Sequence, residues 1–257
     1  MKSLYWDPNS YIQNSYPQYL EGKKIIEYLR SETKKSILDI GCGSGNLTHE
    51  IALLNHTNEI TGIDASEEMI TYAKEHYRSS NLNFLVMNAE KMNFLHKKFD
   101  LIVSNFCLHW VQDKLATFIC IKNHLKLNGK IFLVIPLHNK KMTVVREYLL
   151  KNSKWSKYFN NYVNPHIFVQ DDNYEDYTTR AGLQNLNYSI EIGKTIFENL
   201  DKFKLFLKNV NPCIGELSNE EERGDFINDF IELYMLEEPL DSDNHYVMTH
   251  TYMKIQG

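Results

Sequence analysis

The run Ile37-Leu38-Asp39-Ile40-Gly41-Cys42-Gly43-Ser44-Gly45 constrains this chain more than any other segment. A strand-like apolar stretch ends there and meets three glycines at alternate positions. Glycine reaches positive φ at little cost and carries no Cβ, so backbone at such a turn can approach a ligand closely. Asn46–Leu54 follows with helical character, and a helix start offers free N–H groups to whatever lies against it. The spacing G-x-G-x-G differs from the dinucleotide pattern G-x-G-x-x-G.

The elements around the turn alternate. Ser36–Ile40 is expected as a strand, Glu59–Ile63 as a second ending at Asp64, Leu82–Met87 as a third and Phe99–Ser104 as a fourth. Ser66 before Glu67 and Glu68 suits an N-cap with an acidic first turn, and Met69, Ile70 and Ala73 give that helix an apolar face. Leu115–Leu127 is expected as a helix stopping at Asn128-Gly129, and Lys130–Ile135 as a fifth strand broken by Pro136. Such alternation predicts a parallel sheet covered on both faces.

Beyond Pro136 the pattern changes. Helices are expected at Met142–Lys151, Tyr174–Arg180, Leu200–Val210 and Glu220–Leu236, with strands at Leu186–Phe197 and Tyr246–Ile255. Trp155–Gln170 is aromatic and irregular. With no Gly/Ser/Pro-rich linker and no internal repeat, one domain over residues 1–257 is expected. Its parts would be an N-terminal lid segment (1–30), a cofactor-binding core (36–136), substrate-side helices and a strand (140–240) and a final strand (245–256).

Composition narrows the partners. A net charge of −5 supplies no general basic field, and the pairs Lys34-Lys35, Lys97-Lys98 and Lys140-Lys141 are scattered, so no nucleic-acid partner is expected. The chain begins without an apolar signal segment, and no stretch nears the ~18–20 apolar residues of a membrane span. Cys42, Cys107, Cys120 and Cys213 show no C-x-x-C spacing, which suggests reduced thiols in a cytoplasmic protein and no metal. Nothing sets the oligomeric state, and a monomer is compatible with the sequence.

Asp64 stands 19 residues after Gly45, where a carboxylate can accept from both hydroxyls of a ribose. Nicotinamide enzymes share that geometry, so the turn and Asp64 alone leave several nucleotide classes open. Asn88-Ala89-Glu90 follows the third strand, where an adenine edge would be read. Asn105 follows the fourth and opens the segment Asn105-Phe106-Cys107-Leu108-His109-Trp110.

Together these motifs resemble the class I S-adenosylmethionine-dependent methyltransferases: Asp39–Gly45 their first motif, Gly62–Ser66 their second and Phe99–Asn105 their fourth. The resemblance implies a Rossmann-like α/β fold. It would have a seven-stranded, mostly parallel sheet with helices on both faces, the last strand antiparallel, an N-terminal lid and C-terminal helical additions. It implies S-adenosylmethionine as cofactor and S-adenosylhomocysteine as product, held by Asp39, Gly41, Cys42, Gly43, Gly45, Asp64, Ala65, Met69, Asn88, Ala89, Asn105 and Gln13. In that family Asp64 would take the ribose, Ala65 and Met69 the adenine pocket, Asn88 the adenine amino group and Ala89 the ring edge. Family members usually carry Asp where this chain has Asn88, and the amide accepts a hydrogen bond without charge.

Trp6-Asp7-Pro8-Asn9-Ser10-Tyr11, Cys107–Gln112, Lys154–Ser156 and Asn211–Cys213 resemble a narrower group, the trans-aconitate, juvenile hormone acid and malonyl-carrier-protein methyltransferases. All of these esterify a carboxylic acid. A carboxylate is already ionised at neutral pH and needs no general base, only orientation worth ~7–11 kcal/mol in favourable cases. Trp110 is a candidate to donate its indole N–H to the acceptor, and His109 either orients it or packs beside Trp110. Tyr11, Trp110 and Trp155 are the expected substrate contacts. The aromatic stretch Trp155–Phe168 and the sparse arginines Arg146, Arg180 and Arg223 favour an acid with an apolar tail over a multiply charged one. Three alternatives stay open or weigh less: a phenol, amine or protein acceptor with His109 as base, a non-catalytic S-adenosylmethionine-binding module and, disfavoured by the glycine spacing, a dehydrogenase.

Overall fold

The computed structural model describes residues 16–30, 36–54, 56, 58–94, 97–164 and 173–257. Within them seven strands form one sheet: β1 (Ser36–Ile40), β2 (Glu59–Asp64), β3 (Leu82–Val86), β4 (Phe99–Asn105), β5 (Leu125–Pro136), β6 (Asn187–Phe197) and β7 (Tyr246–Gln256). Their order is β3-β2-β1-β4-β5-β7-β6. β1 pairs in parallel with both β2 and β4, β2 with β3 and β4 with β5, while β5 and β7 run antiparallel. The expected mostly parallel sheet with an antiparallel end strand is present.

The helices are α1 (Tyr16–Arg30), α2 (Asn46–Leu54), α3 (Glu67–His76), α4 (Lys114–His124), α5 (Lys140–Lys151), α6 (Asn173–Arg180), α7 (Leu200–Val210) and α8 (Glu220–Glu237). The described residues fall into two compact units. The first holds those within Tyr5–Pro136, Val169–Glu191 and Tyr252–Gly257, and the second those within Leu137–Phe168 and Ile192–Thr251.

In the first unit the strands alternate sides. Ile37, Ile60, Leu101, Val103, Phe132 and Val134 cluster with Ile25, Ile26 and Leu29 of α1 and Leu47, Ile51 and Ala52 of α2. On the same side Phe84 of β3 packs with Ile70 and Ala73 of α3. The chain steps β1, β2, β3 in one direction and β4, β5 in the other, so right-handed crossovers put the later helices on the opposite face. There α4 and α6 meet through Phe118 edge-on to Tyr174. The reversal falls between β1 and β4, and the crevice at the carboxyl ends of such strands is where open α/β sheets bind ligands.

The second unit has its own core. Val145 and Leu149 of α5, Phe203, Phe206 and Leu207 of α7 and Phe226, Phe230 and Tyr234 of α8 are buried together. Asn139, Asn199 and Asn219 cap these three helices through their side chains, and each such cap is worth about 1 kcal/mol.

Two expectations shift. Residues 16–30, read as part of a lid, form helix α1, whose Ile25, Ile26 and Leu29 enter the core of the first unit. Helix α4 ends at His124 rather than Leu127, because Leu125 pairs with Phe99 and starts β5 early, at a register shift between Phe99 and Leu101. Asn128, expected at the end of the helix, has φ +63° inside β5, and Leu127 is 94% exposed.

Candidate active site

The glycine turn is anchored on β2. Gly41 and Cys42 both donate to the Ile63 carbonyl, at 2.8 and 2.9 Å, and Gly43 donates to Asp64 Oδ2 at 2.9 Å. Gly41 sits at φ +72°, and a Cβ there would lie 2.2 Å from Cys107 Sγ. At Gly45, φ +87°, a Cβ would meet the Phe84 ring at 2.7 Å and Ala73 Cβ at 2.9 Å. Glycine is thus required where the turn passes Cys107 and where α2 starts over β3 and α3.

Asp64 is shared out with its second oxygen: Oδ1 accepts from Ser66 N at 2.9 Å. Burial raises its pKa, against the lowering effect of those amide bonds. A carboxylate offers about four lone-pair sites, more than the neighbouring amides use, and the remainder can grip ribose hydroxyls. Ala65 beside it is exposed, Met69 is buried, and Ser66 Oγ caps α3 by accepting from Met69 N.

Asp39 lies almost fully buried in β1 and accepts from Thr48 Oγ1 at 2.6 Å. Burial pushes its pKa up to about 6; Asp64 adds to the rise and the Thr48 hydroxyl opposes it. The neighbouring Cys42 and Cys107 thiols are driven up by burial and by these carboxylates, so both stay protonated. Gln18, Tyr19, Asp39, Gly41, Cys42, Asn46, Leu47 and Asn105 line one recess beside the turn. Asn105 Nδ2 donates to the Gln18 carbonyl at 2.8 Å, tying the end of β4 to α1.

Asn88 is exposed and its Oδ1 accepts from Glu90 N at 2.7 Å, while Ala89 behind it is buried. Glu90 reaches across to the next segment: its Oε1 accepts from Gln112 N at 2.7 Å and Asp113 N at 3.0 Å. Phe106, at φ +53°, turns the chain after β4 into the short helical turn Leu108–Trp110. His109 is buried with its ring centroid 5.3 Å from that of Trp110. Lys114, only 4% exposed, donates Nζ to the Val111 carbonyl and lies 3.5 Å from the His109 carbonyl. Burial pushes its pKa down to about 8, against the pull of Cys107 and Glu90.

The structure therefore gathers Asp39, Gly41, Cys42, Gly43, Gly45, Asp64, Ala65 and Asn105 around the ends of β1, β2 and β4, with Asn88 and Ala89 following β3. Tyr11 and Gln13 lie outside the described residues. Trp155 is corrected: it is 3% exposed in the second unit, edge-on to Phe226 at 5.1 Å, with Nε1 donating to Asp229 Oδ2 at 2.7 Å. A ring so enclosed, its donor already used, packs a core and does not wall a pocket. Phe159 is likewise core, and Tyr158 donates to Glu222 at 2.7 Å. His166 and Phe168 lie outside the described residues.

The sequence does not single out Gln18 or Lys114, and it offers Glu90 only as the end of the run Asn88-Ala89-Glu90. Glu90 and Lys114 act on backbone amides and carbonyls, which leave no side-chain pattern, and Gln18 lies on a helix whose signal is the spacing of Ile25, Ile26 and Leu29.

Residues 31–199 match the family model described as a methyltransferase domain. The protein 235L of Invertebrate iridescent virus 6 is 31% identical over 229 residues, covering 89% of this chain and 85% of that protein. Juvenile hormone acid O-methyltransferase of Drosophila melanogaster is 26% identical over 242 residues, covering 90% and 81%. Among solved structures, phosphoethanolamine N-methyltransferase 2 of Haemonchus contortus, bound to S-adenosyl-L-methionine, superposes with a TM-score of 0.59 at 14% identity over 99% of this chain and 58% of that one. The crevice at the strand reversal is where such a fold does its chemistry, and by the family model and the viral relative this chain belongs to the methyltransferase domain family.

Proposed function

We propose that this chain is an S-adenosylmethionine-dependent methyltransferase that esterifies the carboxylate of a small molecule. The observation that carries the cofactor reading is the Asp64 carboxylate, held open at the end of β2 by Gly43 N and Ser66 N with lone pairs to spare. Those lone pairs suit the two ribose hydroxyls, and charge-assisted bonds of this kind are about twice as strong as neutral ones. Ala65, Met69, Asn88 and Ala89 take the adenine. Asn88 Oδ1 spends one lone pair on Glu90 N and has another for the amino group. The recess beside Asp39, Gly41, Cys42 and Asn105 takes the amino-acid end. The donor set therefore fits the cofactor, and no metal enters this reading.

When bound, S-adenosylmethionine supplies a sulfonium methyl group that an acceptor carboxylate takes up as its ester, leaving S-adenosylhomocysteine. The residues on the acceptor side then have little proton chemistry to do. Glu90 and Lys114 hold the segment Cys107–Asp113 by its amides and carbonyls. That holds His109 and Trp110 in place as the groups that orient the acceptor. Similarity to a juvenile hormone acid O-methyltransferase and to malonyl-[acyl-carrier protein] O-methyltransferases supports an acid as acceptor. The test is a panel of carboxylic acids, phenols and amines incubated with methyl-labelled S-adenosylmethionine. Base-labile methyl esters of apolar acids are the expected product. Faster methylation of an amine or phenol, with a rate that rises through a histidine-like ionisation, overturns the carboxylate assignment. Faster esterification of trans-aconitate overturns the apolar tail.

A further inference from the structure

Glu90 is bonded on three sides, and its partners belong to two different parts of the first unit. Its N–H donates to Asn88 Oδ1 at 2.7 Å, within the turn after β3. Its carboxylate Oε1 accepts from Gln112 N at 2.7 Å and Asp113 N at 3.0 Å, at the tail of the segment after β4. Its carbonyl accepts from Cys120 Sγ in α4 at 3.4 Å. The two amides lead into α4, and the positive end of that helix dipole favours an anionic acceptor over a neutral one. The Lys114 bond to the Val111 carbonyl stays within the segment and α4, so of these two clamps only Glu90 reaches back to β3.

The head of the same segment is under strain. Phe106 has φ +53°, a costly conformation for an aromatic residue. It cannot simply relax, because its ring packs on the core of the first unit beside Tyr252 and its N–H donates to the Val134 carbonyl at 2.9 Å. A segment strained at its head is kept in place by contacts further along, and the Glu90 carboxylate supplies two of them. Asn88 Oδ1, the oxygen that anchors Glu90 N, is also the one assigned to the adenine amino group. An amide oxygen has two lone pairs and can take both donors, so an adenine there steadies the turn from which Glu90 reaches across.

We propose that Glu90 is a positioning residue that couples adenine occupancy to the placement of the segment Cys107–Asp113, and with it of His109 and Trp110. This rests on the assignment of S-adenosylmethionine as methyl donor with its adenine at Asn88. The bound nucleotide sets the segment that orients the acceptor, and Glu90 transmits the effect without touching the reacting atoms. Linkage makes the coupling reciprocal: the factor by which the nucleotide steadies the segment is the factor by which a steady segment tightens the nucleotide.

The test is amide hydrogen exchange of the full chain, freed of nucleotide and then saturated with S-adenosylhomocysteine. In the wild type the amides of Cys107–Asp113 are expected to exchange roughly fivefold more slowly once the nucleotide is bound. Glu90→Ala is expected to bind S-adenosylhomocysteine within roughly threefold of wild type and to lose that protection. Glu90→Gln, whose amide oxygen still accepts from both backbone amides, is expected to keep it, and its loss there overturns the coupling. Wild-type exchange in Cys107–Asp113 that ignores the nucleotide, or a Glu90→Ala response equal to wild type, also overturns it. Melting curves confirm the fold of both variants. If Glu90→Ala does not fold, the wild type saturated with S-inosylhomocysteine decides, because that probe carries an oxygen in place of the adenine amino group. Weaker protection than with S-adenosylhomocysteine is expected, and equal protection overturns the coupling. Wild-type protein that does not bind S-adenosylhomocysteine overturns the donor assignment itself, a result distinct from failure of the coupling.

Discussion

The backbone at Gly41 passes so close to Cys107 that a Cβ built on it would lie 2.2 Å from Cys107 Sγ and 2.3 Å from Cys107 Cβ. The first loop of the sheet and the segment after β4 thus share one wall. Gly41→Ala is expected to lower stability by about 2–4 kcal/mol, combining overpacking with the ~1–2 kcal/mol of a left-handed alanine. Cys107→Gly in the same chain should recover the overpacking part and leave the backbone part, because the next nearest atom, Cys107 Cα, is 3.7 Å away. Urea unfolding of the single and double variants separates the two. Strict additivity of the two substitutions would show that the wall is not shared.

The role of Asp64 is read from nucleotide affinity. Asp64→Asn keeps the shape and removes the charge, so S-adenosylhomocysteine should bind about 1.5–3 kcal/mol more weakly. 5′-Methylthioadenosine has the same adenosine and lacks the amino-acid end, so it should lose as much. Calorimetry that finds the loss confined to one nucleotide would remove Asp64 from the ribose.

The pH dependence of stability follows from Asp39. Its pKa in the folded chain is pushed up to about 6, above the ordinary aspartate value of 3.8, so between these the folded state binds more protons than the unfolded. Its contribution is present in full below about pH 4 and is lost as pH rises through 6. The nucleotide-free protein should lose roughly 3 kcal/mol from this residue over that range. Asp39→Asn should flatten that slope and raise the melting temperature at pH 7. S-adenosylhomocysteine, whose ammonium favours the charged carboxylate, should bind more tightly as pH rises from 5 to 7. Denaturant titrations across that range check the slope, and an Asp39→Asn curve parallel to wild type would refute it.

What could be read from the sequence was what local chemistry decides. Ser36–Ile40, Asn46–Leu54 and Leu200–Val210 fall where apolar patterning and polar flanks put them, and Ser66 caps α3 as its position before two glutamates suggests. The glycine turn and Asp64 were legible because tight backbone and a strand-end carboxylate demand particular residue types. The rest depends on distant partners. Helix α4 loses its last turn to the pairing of Leu125 with Phe99. Glu90 finds amides 22 and 23 residues away. Asn105 reaches the Gln18 carbonyl only because α1 packs beside the end of β4, a contact between residues 87 apart.

Trp155 is the sharpest of these cases, because its partner Asp229 lies 74 residues on. Its sequence setting, an aromatic stretch, suits a pocket wall as well as a core. The structure gives the ring to Phe226 and the N–H to Asp229, whose other contact is Lys154 Nζ at 2.8 Å. Trp155→Phe keeps an aromatic ring but leaves a gap and removes the donor from a carboxylate that remains partly solvated. The expected cost is about 1–3 kcal/mol of stability, with the solvent exposure of Asp229 holding it towards the lower end. Because Trp155 packs the second unit and the nucleotide residues belong to the first, S-adenosylhomocysteine affinity should stay within twofold of wild type. Urea unfolding and calorimetry on one preparation decide it. Unchanged stability together with loss of activity on a methylated acid would return Trp155 to the substrate.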